Sequence, residues 1–133
     1  MKASYRLHPD RGYVAITLEG SVTRFELEAH IHQVWSDPGW SPSFDGLLDC
    51  SAASFAMGEN ELQDLAVSMT KDPRCSLARW AFVVSTAVAF AKIRKVDQIP
   101  GVDSTLRIFF DRRLAEDWLL SRGEKARQPG ATS

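Results

Sequence analysis

The beginning of the chain predicts a β-hairpin. The segments SYRLH and GYVAITLEG flank the turn sequence PDRG, and Val14, Ile16 and Leu18 occupy alternate positions of the second segment. Alternation with a period of two places these apolar side chains on one face of a strand, and an Asp/Gly turn suits the short connection of a hairpin. We therefore expect two antiparallel strands at the start of the fold.

After the hairpin, segments with the apolar spacing of helices alternate with apolar segments of strand length. Thr23 followed by Glu26 is a capping box, and the apolar spacing after it predicts a helix over about residues 24–36. The segment ENELQDLAVSMT has apolar side chains at i, i+3, i+4 and i+7, the stripe of a helix packed on a sheet. Thr86 and Asp111 can cap two further helices. The side chains expected to face inward on these two are Ala89, Ile93 and Val96 on the first and Leu114, Ala115, Trp118 and Leu119 on the second.

Three apolar segments between the helices predict strands. They are FDGLLDC, RWAFVVS and TLRIFF. RWAFVVS does not alternate, so it should be buried on both faces, as central parallel strands are. The small residues that follow FDGLLDC predict a loop.

The resulting order, β-β-α-β-α-β-α-β-α, predicts an α/β fold. Strand–helix–strand crossovers of this length imply parallel strands with right-handed connections. We expect a mixed, mostly parallel five-stranded sheet covered by helices. A chain of 133 residues fits a single domain, predicted over residues 1–121, and the polar segment 122–133 predicts a flexible C-terminal tail.

Composition and charge argue against several partners and locations. A formal charge of -1 and a pI of about 6.3 provide no field that would gather nucleic acid. The N-terminus lacks the apolar region of a signal peptide, and no apolar run approaches the roughly 20 residues of a transmembrane helix. Cys50 and Cys75 are too few for a disulfide framework. We expect a cytoplasmic protein without a transmembrane segment, in which Cys50 is a small apolar residue at a strand end.

Four segments resemble a known family. GYVAITLEGSVT, FDGLLDCS, RWAFVVSTAVAFA and LRIFFDRRLAEDWL are similar to the SpoIIAA-like proteins, which are related to the STAS domains of anti-sigma-factor antagonists and to CRAL-TRIO-type lipid-binding domains. The resemblance covers roughly residues 4–120. It implies the fold, but the same fold hosts regulatory, transport-associated and lipid-binding members, so it implies no single function.

The best-known site of that family is matched only in its first half. In phosphorylatable STAS regulators the loop after this strand resembles D-x-S-x-x-x-F-x-D-S-S-G, and a kinase acts on a serine at the helix start. Asp49, Ser51 and Phe55 match the first half, but no serine occupies the acceptor position. Ser51 and Ser54 stay as candidate targets of a kinase, without the family's switch being carried over to them.

A candidate site is expected where the parallel strands end. Ligands of open α/β sheets bind beyond the carboxyl ends of the strands, and the helix N-termini there suit an anion or a phosphorylated partner. Arg112 and Arg113 oppose the helix dipole by roughly 0.3–1 kcal/mol each, a conflict that an anionic ligand would remove. The alternative interpretation is that the polar residues are ordinary caps and turns. The candidate binding residues are Asp49, Cys50, Ser51, Phe55, Met57, Glu59, Ser85, Thr86, Phe90, Lys92, Asp111 and Arg112.

Motifs of catalysis and metal binding are absent from the sequence. His30 and His32 point to nearly opposite sides of a helix and cannot share a metal. Each has a glutamate four residues before it, which predicts ordinary exposed pairs. There is no nucleophile elbow, no cysteine motif with a placed histidine and no Gly-rich phosphate loop. We expect no metal, no cofactor and no catalytic residue, the alternative being an enzyme that uses Asp49 and Asp111.

Two functions of different classes follow. The first is a non-catalytic regulatory or protein-interaction module that binds a protein partner through residues 49–60 and 85–92. The second is a protein of CRAL-TRIO-like type that encloses a small apolar ligand or lipid in a pocket lined by Phe55, Met57 and Phe90. Because homodimers are the commonest soluble assemblies, a homodimer is also expected.

Overall fold

The order of strands and helices is the predicted one. The computed structural model describes residues 1–74, 78–102 and 105–127, with side chains described as far as Ser121. Cys75 lies outside the described residues. The elements are β1 (Lys2–His8), β2 (Tyr13–Val22), α1 (Arg24–Trp35), β3 (Asp45–Phe55), α2 (Glu59–Lys71), β4 (Trp80–Val83), α3 (Ala87–Asp97), β5 (Leu106–Phe109) and α4 (Arg112–Arg127).

The five strands form one mixed sheet in the order β1-β2-β3-β4-β5. β1 and β2 are antiparallel and joined by a tight turn, in which the amides of Arg11 and Gly12 both donate to the His8 carbonyl. Gly12 takes a φ of 76°, which suits glycine far better than other residues. β2, β3, β4 and β5 are mutually parallel. The predicted mixed, mostly parallel sheet is therefore confirmed.

The helices cover the two faces of the sheet unequally. The larger core joins one face of the sheet to α1, α2 and α3, through buried residues such as Ile31, Leu65 and Ile93. The smaller core joins the other face to α4, through Ala115 and Leu119. Over the described residues, α4 is thus the helix on which burial of this second face depends.

One prediction about α4 was wrong. Leu114 is 57% exposed instead of facing inward, because it lies in the first turn, at the edge of the sheet on which it would have packed. The helix continues to Arg127, into the polar end of the sequence. Backbone hydrogen bonds hold a helix together without an apolar stripe, so the scarcity of apolar residues after residue 121 does not mark the end of α4.

The prediction for His30 was also wrong. It is only 7% exposed, lies 5.7 Å edge-on from the Tyr5 ring, and its Nε2 has no hydrogen-bond partner among the described residues. Glu26 instead accepts from the N-terminal amine, and Glu28 pairs with Arg24. His30 lies between Leu27 and Val34 on the buried stripe of α1, at i+3 from the first and i−4 from the second, and the Tyr5 ring of β1 packs against it.

We expect this buried histidine to make the protein less stable in weak acid. Burial lowers the pKa of His30 below its ordinary value of 6.5, so below about pH 6.5 the unfolded chain takes up a proton that the folded chain resists. The free energy of unfolding should therefore fall between pH 8 and pH 5.5, and H30F should lessen that fall. Urea titrations at the two pH values measure both. The control H32Q removes an exposed histidine of the same helix, and a fall that H32Q lessens as much as H30F would contradict the assignment.

Candidate functional site

The carboxyl edge of the sheet is shaped by a bulge in β3. Thr17 of β2 pairs with Asp49 and Glu19 pairs with Ala52, so β2 advances two residues while β3 advances three. β4 ends at Val83, opposite Asp49, and β3 continues beyond it paired with β2 alone. The segment predicted as a loop after FDGLLDC is therefore strand as far as Phe55. Bulges of this kind re-aim side chains next to binding sites.

Asp49 organises the polar groups at this edge. Its side chain is buried, and its Oδ1 accepts from the Ser51 backbone N–H at 3.0 Å and the Ser51 hydroxyl at 2.6 Å. Its Oδ2 lies 3.2 Å from a guanidinium nitrogen of Arg112. Asp49 thus ties the bulge of β3 to the start of α4, and both of its carboxylate oxygens are occupied by neighbours in the chain.

The charge of Arg112 is compensated within the chain. Besides the pair with Asp49, its Nε donates to Glu116 at 3.1 Å, one helical turn later. These two carboxylates offset the unfavourable position of a cation in the first turn of a helix. The conflict that suggested an anionic ligand at Arg112 is therefore largely resolved without one.

The remaining polar candidates are hydrogen-bonded at strand ends and helix starts. The Thr86 hydroxyl accepts from the Ala89 amide at 3.1 Å, and an Asp111 oxygen accepts from the Arg113 amide at 2.8 Å. These are the capping bonds of α3 and α4. Three further contacts tie neighbouring elements together: Ser85 donates to the Ser51 carbonyl at 2.6 Å, Lys92 donates to the Phe55 carbonyl at 2.8 Å, and Glu59 pairs with Lys95.

Three apolar candidates belong to the core. Cys50, Phe55 and Met57 are 0%, 6% and 2% exposed and pack within the larger core. Burial raises the pKa of the Cys50 thiol, so this cysteine is an apolar residue of low reactivity. The side chains predicted to line a ligand pocket are thus mainly packing residues, and only Phe90 of that set is partly exposed.

Apolar cavities lie away from these residues, between the sheet, α2 and α3. Two adjoining cavities of about 50 and 40 Å³ share Met69, Trp80 and Phe82 among their lining residues. Each is much smaller than a cavity of about 150 Å³ that binds benzene. A lipid would therefore require α2 or α3 to move away from the sheet.

The carboxyl edge also carries exposed apolar side chains around the predicted candidate Phe90, and the sequence interpretation missed them. Val88 is 69% exposed in the first turn of α3, Phe110 is 60% exposed just after β5, and Leu114 follows in the first turn of α4. Phe90 stacks on Phe110 with ring centroids 5.4 Å apart. We call Val88, Phe90, Phe110 and Leu114 the α3–α4 patch. The sequence contained one indication of this exposed set: Val88 is apolar but falls outside the apolar stripe of α3, so it should face solvent.

The described part of the chain offers no group of three or more His, Cys, Asp or Glu side chains that could hold a metal ion. None of its helices has the length and apolar character needed to cross a bilayer. The carboxyl edge is thus a surface of capped helix starts and exposed apolar side chains, at which Asp49, Arg112 and Glu59 are paired inside the chain.

Comparison with solved structures shows which known fold this architecture matches. A protein of the DUF3478 family with a SpoIIAA-like fold, from Shewanella loihica PV-4 and itself uncharacterised, superposes with a TM-score of 0.57 over 89% of this chain and 92% of its own. The protein has a SpoIIAA-like fold. The resemblance stated from the sequence is confirmed at this level, and an identity of 18% extends it no further than the fold.

Two other comparisons found nothing similar. No family model matches the chain, and no curated protein matches it. The SpoIIAA-like fold by itself indicates no activity, since function depends on the sites that a particular chain carries.

Proposed function

We propose that this SpoIIAA-like protein is a non-catalytic module that binds a protein partner through the carboxyl edge of its sheet, at the α3–α4 patch. The observation that carries the proposal is the exposure of Val88, Phe110 and Leu114, each more than half exposed, at two neighbouring helix starts. Exposed apolar side chains grouped on a small domain commonly mark an interaction site, and two members of this group, Phe90 and Phe110, stack on each other. Burial of the group by a partner would release water from all of these side chains.

The position of the patch supports the same proposal. All four strongly exposed large apolar side chains of the described residues lie at helix starts beyond the carboxyl ends of the strands, the fourth being Phe25 in the first turn of α1. This is the edge at which open α/β sheets bind their ligands. Three of the four surround the starts of α3 and α4, so the patch is the centre of the proposed interface.

The polar groups at the edge support binding without catalysis. Asp49, one of the two carboxylates considered for an enzyme, is held by Ser51 and Arg112. Asp111, the other, is exposed and caps α4 through one oxygen. A general base needs a free oxygen within hydrogen-bond reach of a substrate, and both oxygens of Asp49 are engaged by neighbours in the chain. The lipid-binding alternative has weaker support, because the apolar cavities are small and lie away from this edge.

Replacing two residues of the α3–α4 patch should abolish partner capture. The variant F110S/L114S removes large exposed apolar side chains, so it should retain the fold while weakening a partner at least tenfold, as expected for the centre of an interface. The experiment compares the proteins that the wild-type and variant chains, immobilised at equal density, retain from an extract of the source cells. The affinity of the retained partner is then measured by calorimetry.

The matched control is F25S, because Phe25 is 82% exposed but lies about 14 Å away, three strand spacings across the sheet. This variant should keep the partner. If F110S/L114S retains the partner as well as the wild type does, or if no protein is specifically retained, the proposed function is wrong.

A further inference from the structure

β5 leaves backbone hydrogen-bonding groups open at the edge of the sheet. The Thr105 and Phe109 carbonyls accept from the Trp80 and Val84 amides, so the odd-numbered residues of this segment face β4. Backbone groups alternate in direction along a strand, and Ile108 therefore directs its N–H and C=O away from β4. β5 is the last strand of the sheet, so this donor and acceptor lie at an edge that can pair with a further strand.

A groove runs along that open edge. It has a volume of about 570 Å³ and lies between the outer side of β5, at Leu106 and Ile108, and the α3 side chains Phe90 and Arg94. Phe90 stacks on Phe110, so the groove opens directly onto the α3–α4 patch. Its volume falls within the range of about 300–1,000 Å³ that is typical of ligand sites in proteins.

The two faces of β5 differ in chemistry, so an added strand would need different side chains on each face. On the α3 side the half-buried Leu106 and Ile108 belong to the periphery of the larger core and would contact apolar residues. On the α4 side the exposed Arg107 lies 5.4 Å from the ring centre of Trp118 and has no carboxylate partner among the described residues. Arg94 is balanced by Asp97 at 3.2 Å, so among the described side chains of this edge the unbalanced charge is that of Arg107.

A second copy of this chain fits the edge less well than an acidic strand does. Pairing two β5 strands would bring Arg107 of one copy close to the same residue of the other, and like charges across a strand pair are destabilising. The charge of the edge therefore favours a partner strand of opposite sign.

We propose that the partner binds by adding an extended segment to the open edge of β5, with apolar side chains facing α3 and acidic side chains facing Arg107. This inference rests on the proposed function and names the chemistry of the partner: an alternating apolar and acidic strand that leads onto the α3–α4 patch. Backbone pairing with Ile108 provides the attachment, and Arg107 provides the selection of charge.

The test uses two synthetic peptides, acetyl-VEVEVE-amide and acetyl-VKVKVK-amide, titrated into the ¹⁵N-labelled full chain. The acidic peptide should shift and protect the Ile108 amide and should bind at least about fivefold tighter than the basic one, as opposite-charge cross-strand pairs predict. The variant R107E should reverse this order. The control R6E, at an exposed position of the other edge strand, β1, should leave it unchanged.

Three results would overturn strand addition: no perturbation at Ile108, a peptide order that R107E does not change, or a native mass of two chains with Ile108 already protected. The last would assign the edge to a second copy. Failure here is distinguishable from failure of the proposed function. If F110S/L114S abolishes partner capture while neither peptide perturbs Ile108, partner binding at the α3–α4 patch stands and strand addition is wrong. If the peptides bind at Ile108 but F110S/L114S captures the partner as well as the wild type does, β5 accepts a strand and the proposed role of the patch is wrong.

Discussion

Replacing Gly46 with valine should destabilise the domain by about 3 kcal/mol, the upper part of the range for overpacked cores. Gly46 lies in β3 directly beside Trp80 of β4. A Cβ atom at position 46 would lie 2.3 Å from the Trp80 Cζ3 atom and 2.4 Å from its Cε3 atom. The indole ring occupies the space that any larger residue would need, and moving the ring disturbs the side of the sheet that α2 and α3 cover.

Equilibrium unfolding in urea measures this effect, with G46A as an intermediate step. The control is G58A, since a Cβ atom at position 58 meets nothing within 4 Å; it should cost less than about 1 kcal/mol. Combining G46A with W80L should relieve most of the loss, because the two side chains compete for one space. Strictly additive free energies of unfolding for these two changes would contradict the steric explanation.

Replacing Arg79 with methionine should cost about 3–5 kcal/mol, as expected when one partner of a largely buried ion pair is removed. The side chains of Arg79 and Asp45 are 16% and 12% exposed, with 3.8 Å between Nε and Oδ2. Arg79 also donates to the Trp118 and Leu119 carbonyls at 3.0 and 3.2 Å, and its guanidinium lies 4.3 Å from the centre of the Trp118 ring. It therefore attaches α4 to the sheet from the middle of the helix.

The matched control for R79M is R107M. Arg107 also lies over the Trp118 ring, at 5.4 Å, but it is exposed, and its loss should cost under about 1 kcal/mol. Urea unfolding gives the free energies, and near-ultraviolet circular dichroism reports the surroundings of Trp118. If R79M and R107M were equally destabilising, the buried pair with Asp45 would not be the source of the effect.

Much of the fold could be predicted because its signals are local. Thr23 and Thr86 cap α1 and α3 as expected, with hydroxyls that accept from the amides three residues later. The stripe of Ala89, Ile93 and Val96 is buried as expected. Capping and helical spacing depend on residues within a few positions of one another, so a single sequence displays them.

The candidate site was less predictable, because its character depends on contacts between distant segments. Asp49 and Arg112 were both named as candidates at one edge, but their ion pair joins residues 63 positions apart. That pair compensates the charge of Arg112, one of the two arginines that had suggested an anionic ligand. Exposure of Phe110 and Leu114 also depends on where the sheet ends beneath them, which the apolar pattern of α4 does not state.

The sequence by itself determined the kind and order of the elements and the place of the edge where helix starts meet strand ends. These follow from side-chain period, capping and chain connectivity, which are properties of neighbouring residues. Only the tertiary structure decided the bulge that places Asp49 beside Ser51, the ion pair between Asp49 and Arg112, and the open edge of β5. Each depends on which surfaces meet across the sheet, where packing and strand pairing outweigh local preference.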